Sequence, residues 1–193
     1  MKTKRKPLKD LTIEELWELF PIFLVPHQKR WAKRFEKEKK YLLSHIKYHA
    51  VKTIEHIGST AIPDIQAKNI IDIIVVVEKG YQMKDVAHLL ETIGYIKMSE
   101  SEKRISLNKG YTKHGYARDV FHIHLRYQND IDEIYFRDYL INHREVALEY
   151  ETLKIDLSLI YVNHRDDYTD QKTEFVKTYT EKGKKLYKNR GVS

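Results

Sequence analysis

The chain has 193 residues, 41% hydrophobic and 33% charged, with 35 Lys and Arg against 28 Asp and Glu for a net charge of +7. That composition describes one domain with a sizeable core and excludes an intrinsically disordered chain, while the absence of cysteine excludes disulfides and thiolate-bound metal. No apolar run reaches spanning length and no signal-type segment opens the chain, so a cytoplasmic protein without a membrane anchor is expected.

Thr12, with Glu15 three residues on, has the spacing of a capping box, which predicts a short helix to about Phe20 that stops at Pro21. Pro26 suits the start of the next helix, on which Trp31, Phe35 and Leu42 share a core-facing side. A short β-like run, Val51 to Ile57, then halts at Gly58-Ser59-Thr60. After a proline-punctuated connection comes Ile70 to Val77, the most apolar and β-branched segment of the chain, which reads as a strand buried on both faces. Asp72 interrupts it. A carboxylate inside a central strand is costly unless it is paired, hydrogen-bonded or bound to a cation, so Asp72 is the residue most in need of a function.

A helix is predicted over about Met83 to Thr92 with Gly94 at its C-terminus. Strands follow at Tyr95 to Ser99 and Arg104 to Asn108, with a turn near Lys109-Gly110. The polar stretch Tyr111 to Arg118 reads as an exposed loop and a candidate lid. Val120 to Tyr127 alternates: His122, His124 and Arg126 face one way, and Phe121, Ile123, Leu125 and Tyr127 the other. The remainder reads as three helices, one carrying Phe136 to Leu140, one from about Glu145 to Ile160 and one from about Asp167 to Lys182. Val146, Tyr150, Leu153, Leu157 and Ile160 form the apolar stripe of the second. Lys154 and Lys172 fall beside the stripes, where solvated lysines are the ordinary case.

A glycine lets backbone approach a ligand closely, and exposed N–H groups at such a turn suit a phosphate-sized anion. The string Glu55-His56-Ile57-Gly58-Ser59-Thr60-Ala61-Ile62-Pro63, then Ala67-Lys68 and Ile70-Ile71-Asp72-Ile73, closely resembles the pattern of the GrpB family. His122 to Arg126, Phe136 to Leu140, Tyr150 to Lys154, Tyr168 and Lys172 fit the same family in order. The resemblance implies an α/β (α+β) fold, a nucleotidyltransferase-like mixed β-sheet flanked by helices. It covers a domain at residues 22–185, leaving an N-terminal helical extension at 1–21 and a basic tail at 186–193.

What the resemblance implies for function is a site for a nucleotide or another phosphorylated small molecule. Gly58, Ser59, Thr60, Lys68 and Arg126 would bind the phosphates, Lys154 and Lys172 could reach one as well, and Asp72, His122 and His124 would do the chemistry. One departure stands out. Nucleotidyl transfer uses two strand carboxylates two residues apart to clamp metal, and the position two residues after Asp72 is Ile74. Two readings stay open. In one, Asp72 works with His56, His122 or His124 so that imidazole replaces carboxylate around one divalent cation (Mg²⁺, Mn²⁺ or Zn²⁺), imidazole favouring the latter two. In the other there is no metal, and the histidines, Arg126 and Lys68 take the anion directly. A non-catalytic nucleotide or ligand sensor is the alternative to an enzyme. A nucleic-acid partner would need the basic residues interleaved with aromatics on a folded face, whereas Lys2, Lys4, Arg5, Lys184, Lys185, Lys188 and Arg190 crowd the ends.

Overall fold

A computed structural model describes residues 6–187; the basic residues Lys2, Lys4, Arg5, Lys188 and Arg190 lie outside them. It is a mixed α/β fold built on one five-stranded sheet. The strands are β1 (Val51–Ile57), β2 (Ile71–Val77), β3 (Ile96–Glu100), β4 (Ile105–Thr112) and β5 (Gly115–Tyr127), ordered β1-β2-β5-β4-β3. Only β2 and β5 run parallel; the other pairs are antiparallel. The apolar run is the strand predicted, and six of the seven residues of β2 are buried.

The helices are α1 (Ile13–Leu19), α2 (Arg30–Leu43), α3 (Met83–Thr92), α4 (Asp132–Asn142), α5 (Arg144–Ile160), α6 (Arg165–Asp170) and α7 (Thr173–Tyr187). Thr12 and Glu15 do form the capping box at α1. Pro26 does not open the second helix: α2 starts at Arg30 and still buries Trp31, Phe35 and Leu42. Trp31 donates its indole N–H to Asn69 Oδ1 at 2.8 Å and Arg34 donates to the same oxygen at 2.6 Å, which pins the β1–β2 connection to α2.

The sheet has two unlike faces because strand side chains alternate. One carries Ile54, Ile71, Ile73, Val75, Val77, Ile105, Leu107, Phe121, Ile123 and Leu125, and α2 and α3 close over it into the main core. The other carries Ile57, Ile74 and Val76 beside Asp72, His122, His124 and Arg126; there α4 supplies Ile131 from its N-cap and Ile134. Further from the sheet, α4, α5 and α7 pack on one another around Phe136, Tyr139, Tyr150 and Phe175. A polar strip therefore lies between the sheet and the C-terminal helices.

Three further expectations fail. The stretch Tyr111 to Arg118 is a β-hairpin with its turn at Lys113-His114, not a loop. Lys109-Gly110 is a bulge inside β4, where the strands cross so closely that a Cβ on Gly110 would lie 2.3 Å from the Asp119 carbonyl oxygen. The expected helix over Asp167 to Lys182 is two helices, broken at Gln171-Lys172. The N-terminal segment packs on the hairpin: Phe20 is buried against Tyr111 and Tyr116, with ring centroids 4.8 and 5.1 Å away. No helix among the described residues is long and apolar enough to cross a membrane.

Candidate functional site

The site begins where β1 ends. Gly58 has φ +69° and ψ −174°, a conformation close to exclusive to glycine. A Cβ there would fall 2.4 Å from Asp72 Oδ2, so the Asp72 carboxylate rests on the Gly58 backbone. Ser59 to Ala61 then form one 3₁₀ turn. Thr60 is buried and donates its hydroxyl to the Ile70 carbonyl at 3.1 Å, tying the turn to the start of β2. That hydroxyl has one proton, so His56 must donate from Nε2 to Thr60 Oγ1 at 2.9 Å.

His56 and Asp72 are not partners. The register sets Ile57 opposite Asp72 and His56 opposite Ile73, which places His56 on the core face. There it stacks on Phe35 with centroids 5.0 Å apart and planes 14° apart, and burial pulls its pKa down to about 4. The expected Asp72–His56 metal pair is corrected by strand alternation: neighbours in sequence point to opposite faces.

Asp72 does meet β5. It lies opposite His122, whose Nδ1 is 3.1 Å from Asp72 Oδ1, and His124 Nε2 is 3.7 Å from the same oxygen. Burial works against the Asp72 charge, yet the hydrogen bond from His122 and the nearby His124 outweigh it and hold the carboxyl well below the usual carboxylate range. Burial also lowers the His122 pKa, more than Asp72 raises it. The pair is then a neutral imidazole donating from Nδ1 to an ionised carboxylate. His122 Nε2 is left to accept, and Tyr111 Oη donates to it at 2.8 Å while accepting from Arg165 Nη2 at 3.1 Å. Arg165, Tyr111, His122 and Asp72 thus form a chain of hydrogen bonds with one direction.

Arg126 sits behind this chain. It is buried, and donates from Nε and Nη2 to Glu133 Oε1 at 3.0 and 2.6 Å and from Nη1 to the Leu125 carbonyl at 2.8 Å. Its Nη2 is 3.4 Å from His124 Nδ1. Arg126 therefore braces His124 and α4; it does not reach toward the Gly58 turn.

Three lysines do reach that turn. Lys68 comes from the β1–β2 connection, Lys154 from α5 and Lys172 from the break between α6 and α7. Together with Gly58, Ser59, Asp72 and His122 they line a chamber of about 190 Å³. Burial, chiefly, pulls the pKa of Lys68 down to about 8, Lys154 to about 7 and Lys172 to about 6. Lys68 and Lys172 lie 5.3 and 3.9 Å from the Tyr168 ring centroid, and Lys154 lies 4.9 Å from that of Tyr150. Lys154 also donates to the Gln66 carbonyl. The chamber opens past Gly58, Asp72, Tyr150 and Lys172 into a groove of about 550 Å³ lined by Phe136, Val176, Arg104 and Glu133 among others.

Of the residues singled out in the sequence, the structure brings together Gly58, Ser59, Lys68, Asp72, His122 and His124. Thr60 lines the chamber with its hydroxyl already engaged, and His56 and Arg126 stand apart. Tyr111, Tyr150 and Arg165 went unnoticed as polar groups. A signal existed for the lysines: Lys154 is four residues after Tyr150 and Lys172 four after Tyr168, and such pairs share a helix face or its extension. Metal donors are few. Among the described residues no three His, Asp or Glu side chains are grouped to hold an ion, and Ile74, where a second acid would stand, is fully buried. The donor set does not fit a resident divalent cation.

Comparison with known proteins agrees with this architecture. The family model described as GrpB protein matches residues 21–182. The chain is 38% identical over 165 residues to the glutamate-rich protein GrpB of Alkalihalophilus pseudofirmus, covering 80% of this chain and 91% of that one. It is 30% identical over 183 residues to YqkA of Bacillus subtilis, covering 93% of this chain and 52% of that protein. The crystal structure of the conserved protein GrpB from Enterococcus faecalis superposes with a TM-score of 0.72 at 31% identity, over 86% of this chain and 99% of that one.

Proposed function

The chain belongs to the GrpB family, and we propose that its pocket binds a nucleotide or another phosphorylated small molecule and orients it for transfer. The observation that carries this reading is the convergence of Lys68, Lys154 and Lys172 on the Gly58-Ser59 turn, in a chamber whose lining holds one carboxylate, Asp72. Cations buried without carboxylate partners are expensive, and a phosphate group would supply the missing charge. Lys68, Lys154, Lys172 and Ser59 would hold the phosphate, while Phe136, Tyr150 and Val176 along the groove would contact the organic part. Asp72, kept ionised and aimed by His122, would accept a hydrogen bond from the hydroxyl group that attacks or departs. No second carboxylate is placed to share a metal with it, so transfer here would rest on positioning and on lysine charge.

Thermal unfolding with ATP, GTP, CTP and UTP, each with and without Mg²⁺ or Mn²⁺, tests the reading. A ligand at about a hundred times its Kd stabilises by about 2.7 kcal/mol, a rise of roughly 5–10 °C for a chain of this size. No shift with any of them would refute nucleotide binding. The buried Ile74 also favours a second reading, a sensor that binds and does not turn over. Asp72→Asn separates the two: a sensor keeps or gains affinity, since a negative charge beside the phosphates is gone, and an enzyme loses turnover.

A further inference from the structure

The chamber concentrates positive charge beyond what the fold neutralises. Lys68, Lys154 and Lys172 line it from three stretches of chain and Arg165 stands behind Tyr111 close enough to act on Lys68 and Lys172; among the described residues none of the four is ion-paired with a carboxylate. Each is instead held over a tyrosine ring, Arg165 at 5.6 Å from the Tyr111 centroid. Asp72 is already committed to His122. Like charges in so small a space repel, and only two changes relieve the repulsion: loss of protons or arrival of an anion.

We infer that the chamber receives a phosphate-bearing group directly on its lysine ammonium groups, with no bridging divalent cation, and that anion and protons bind these lysines cooperatively. This deepens the reading above and rests on it. The sign follows from linkage. In the empty chamber burial and then the neighbouring cations leave Lys172 with a pKa of about 6, while Lys154, at about 7, is lowered by burial and by Lys68 against an opposing pull from Glu151. A bound anion raises both. Ligand binding therefore takes up protons, and affinity is full below the lower of these values and falls as pH rises through neutrality.

The other charged groups facing the lysines leave that sign unchanged. Asp72 and neutral His122 lie on the sheet, and Glu151 on α5 accepts the Gln66 N–H. Across the groove Glu133 is taken by Arg126, Asp132 and Glu181 by Lys184, and Arg104 by Asp130; Lys177 at its rim adds positive charge. Burial moves Tyr150 up to about 12, so it stays neutral throughout.

Isothermal titration of the full chain with ATP and with inorganic pyrophosphate, in EDTA and again in Mg²⁺, tests the inference in two buffers of different ionisation enthalpy. Saturable binding in EDTA is expected, with uptake of about one to two protons per ligand near pH 7.5 and about tenfold weaker affinity per pH unit for each proton taken up. Lys172→Arg, which keeps the charge and cannot titrate, should take up about one proton fewer and lose about one tenfold per pH unit of the dependence on pH above neutrality. Should that variant not fold, the two-buffer comparison on the parent protein still decides. Binding that needs Mg²⁺, or that takes up no protons, overturns the inference and leaves the phosphorylated ligand standing. Binding of neither probe under either condition removes the proposed function as well.

Discussion

Gly58→Ala is the most informative single change, because it strikes the contact between turn and acid without altering any charge. The φ of +69° with ψ near 180° costs an alanine roughly 1–3 kcal/mol of backbone strain. The added methyl would also sit 2.4 Å from Asp72 Oδ2 and 2.9 Å from its Cβ. Relief requires a carboxylate shift on the order of 1 Å, enough to break the 3.1 Å bond from His122, a charge-assisted bond whose loss is worth about 1.5–3 kcal/mol. The sum is about 2.5–6 kcal/mol, or roughly 5–24 °C in Tm. Urea unfolding of four proteins (parent, Gly58→Ala, Asp72→Ala and the double variant) separates the two parts. Truncating Asp72 removes the worst clash, so the double variant should be more stable than the summed singles by about 1–3 kcal/mol. A Gly58→Ala protein within about 0.5 kcal/mol of the parent, or strict additivity in the cycle, would refute the close approach of turn and acid.

Arg126→Met should cost about 3–5 kcal/mol in denaturant unfolding, because it strands Glu133 without its partner, and Arg126→Met with Glu133→Gln should recover part of that; an unchanged midpoint for the single variant refutes the pairing. His56, with its pKa lowered to about 4 when folded against about 6.5 unfolded, binds fewer protons in the native state than in the unfolded one. Stability should therefore fall by up to about 3 kcal/mol as pH drops from about 6.5 to about 4, and His56→Gln should flatten that decline in urea titrations. The hydrogen-bond chain through Tyr111 requires the Nδ1–H tautomer at His122, which nitrogen chemical shifts report; an Nε2–H tautomer there breaks the chain.

Much of this protein is written in local pattern. The unbroken apolar run of β2, the alternation of β5, the capping box before α1 and the stripe of α5 each follow from a period of two or 3.6 residues, so strands, faces and helices could be read from the letters. So could the importance of Asp72, since a lone acid in a buried strand demands a reason. The site itself needed the third dimension. Strand register sent His56 to the far face, although it stands two residues before Gly58, and only the pairing of Ile57 with Asp72 shows it. The break after α6 turned Lys172 inward, and packing of α5 against the β1–β2 connection buried Lys154. Arg165 and Tyr111, 54 residues apart, met only because the β4–β5 hairpin folds beneath α6. Periodicity states which side of its own element a residue occupies; which elements face one another, and hence where three lysines and one carboxylate share a chamber, is decided by packing across the chain.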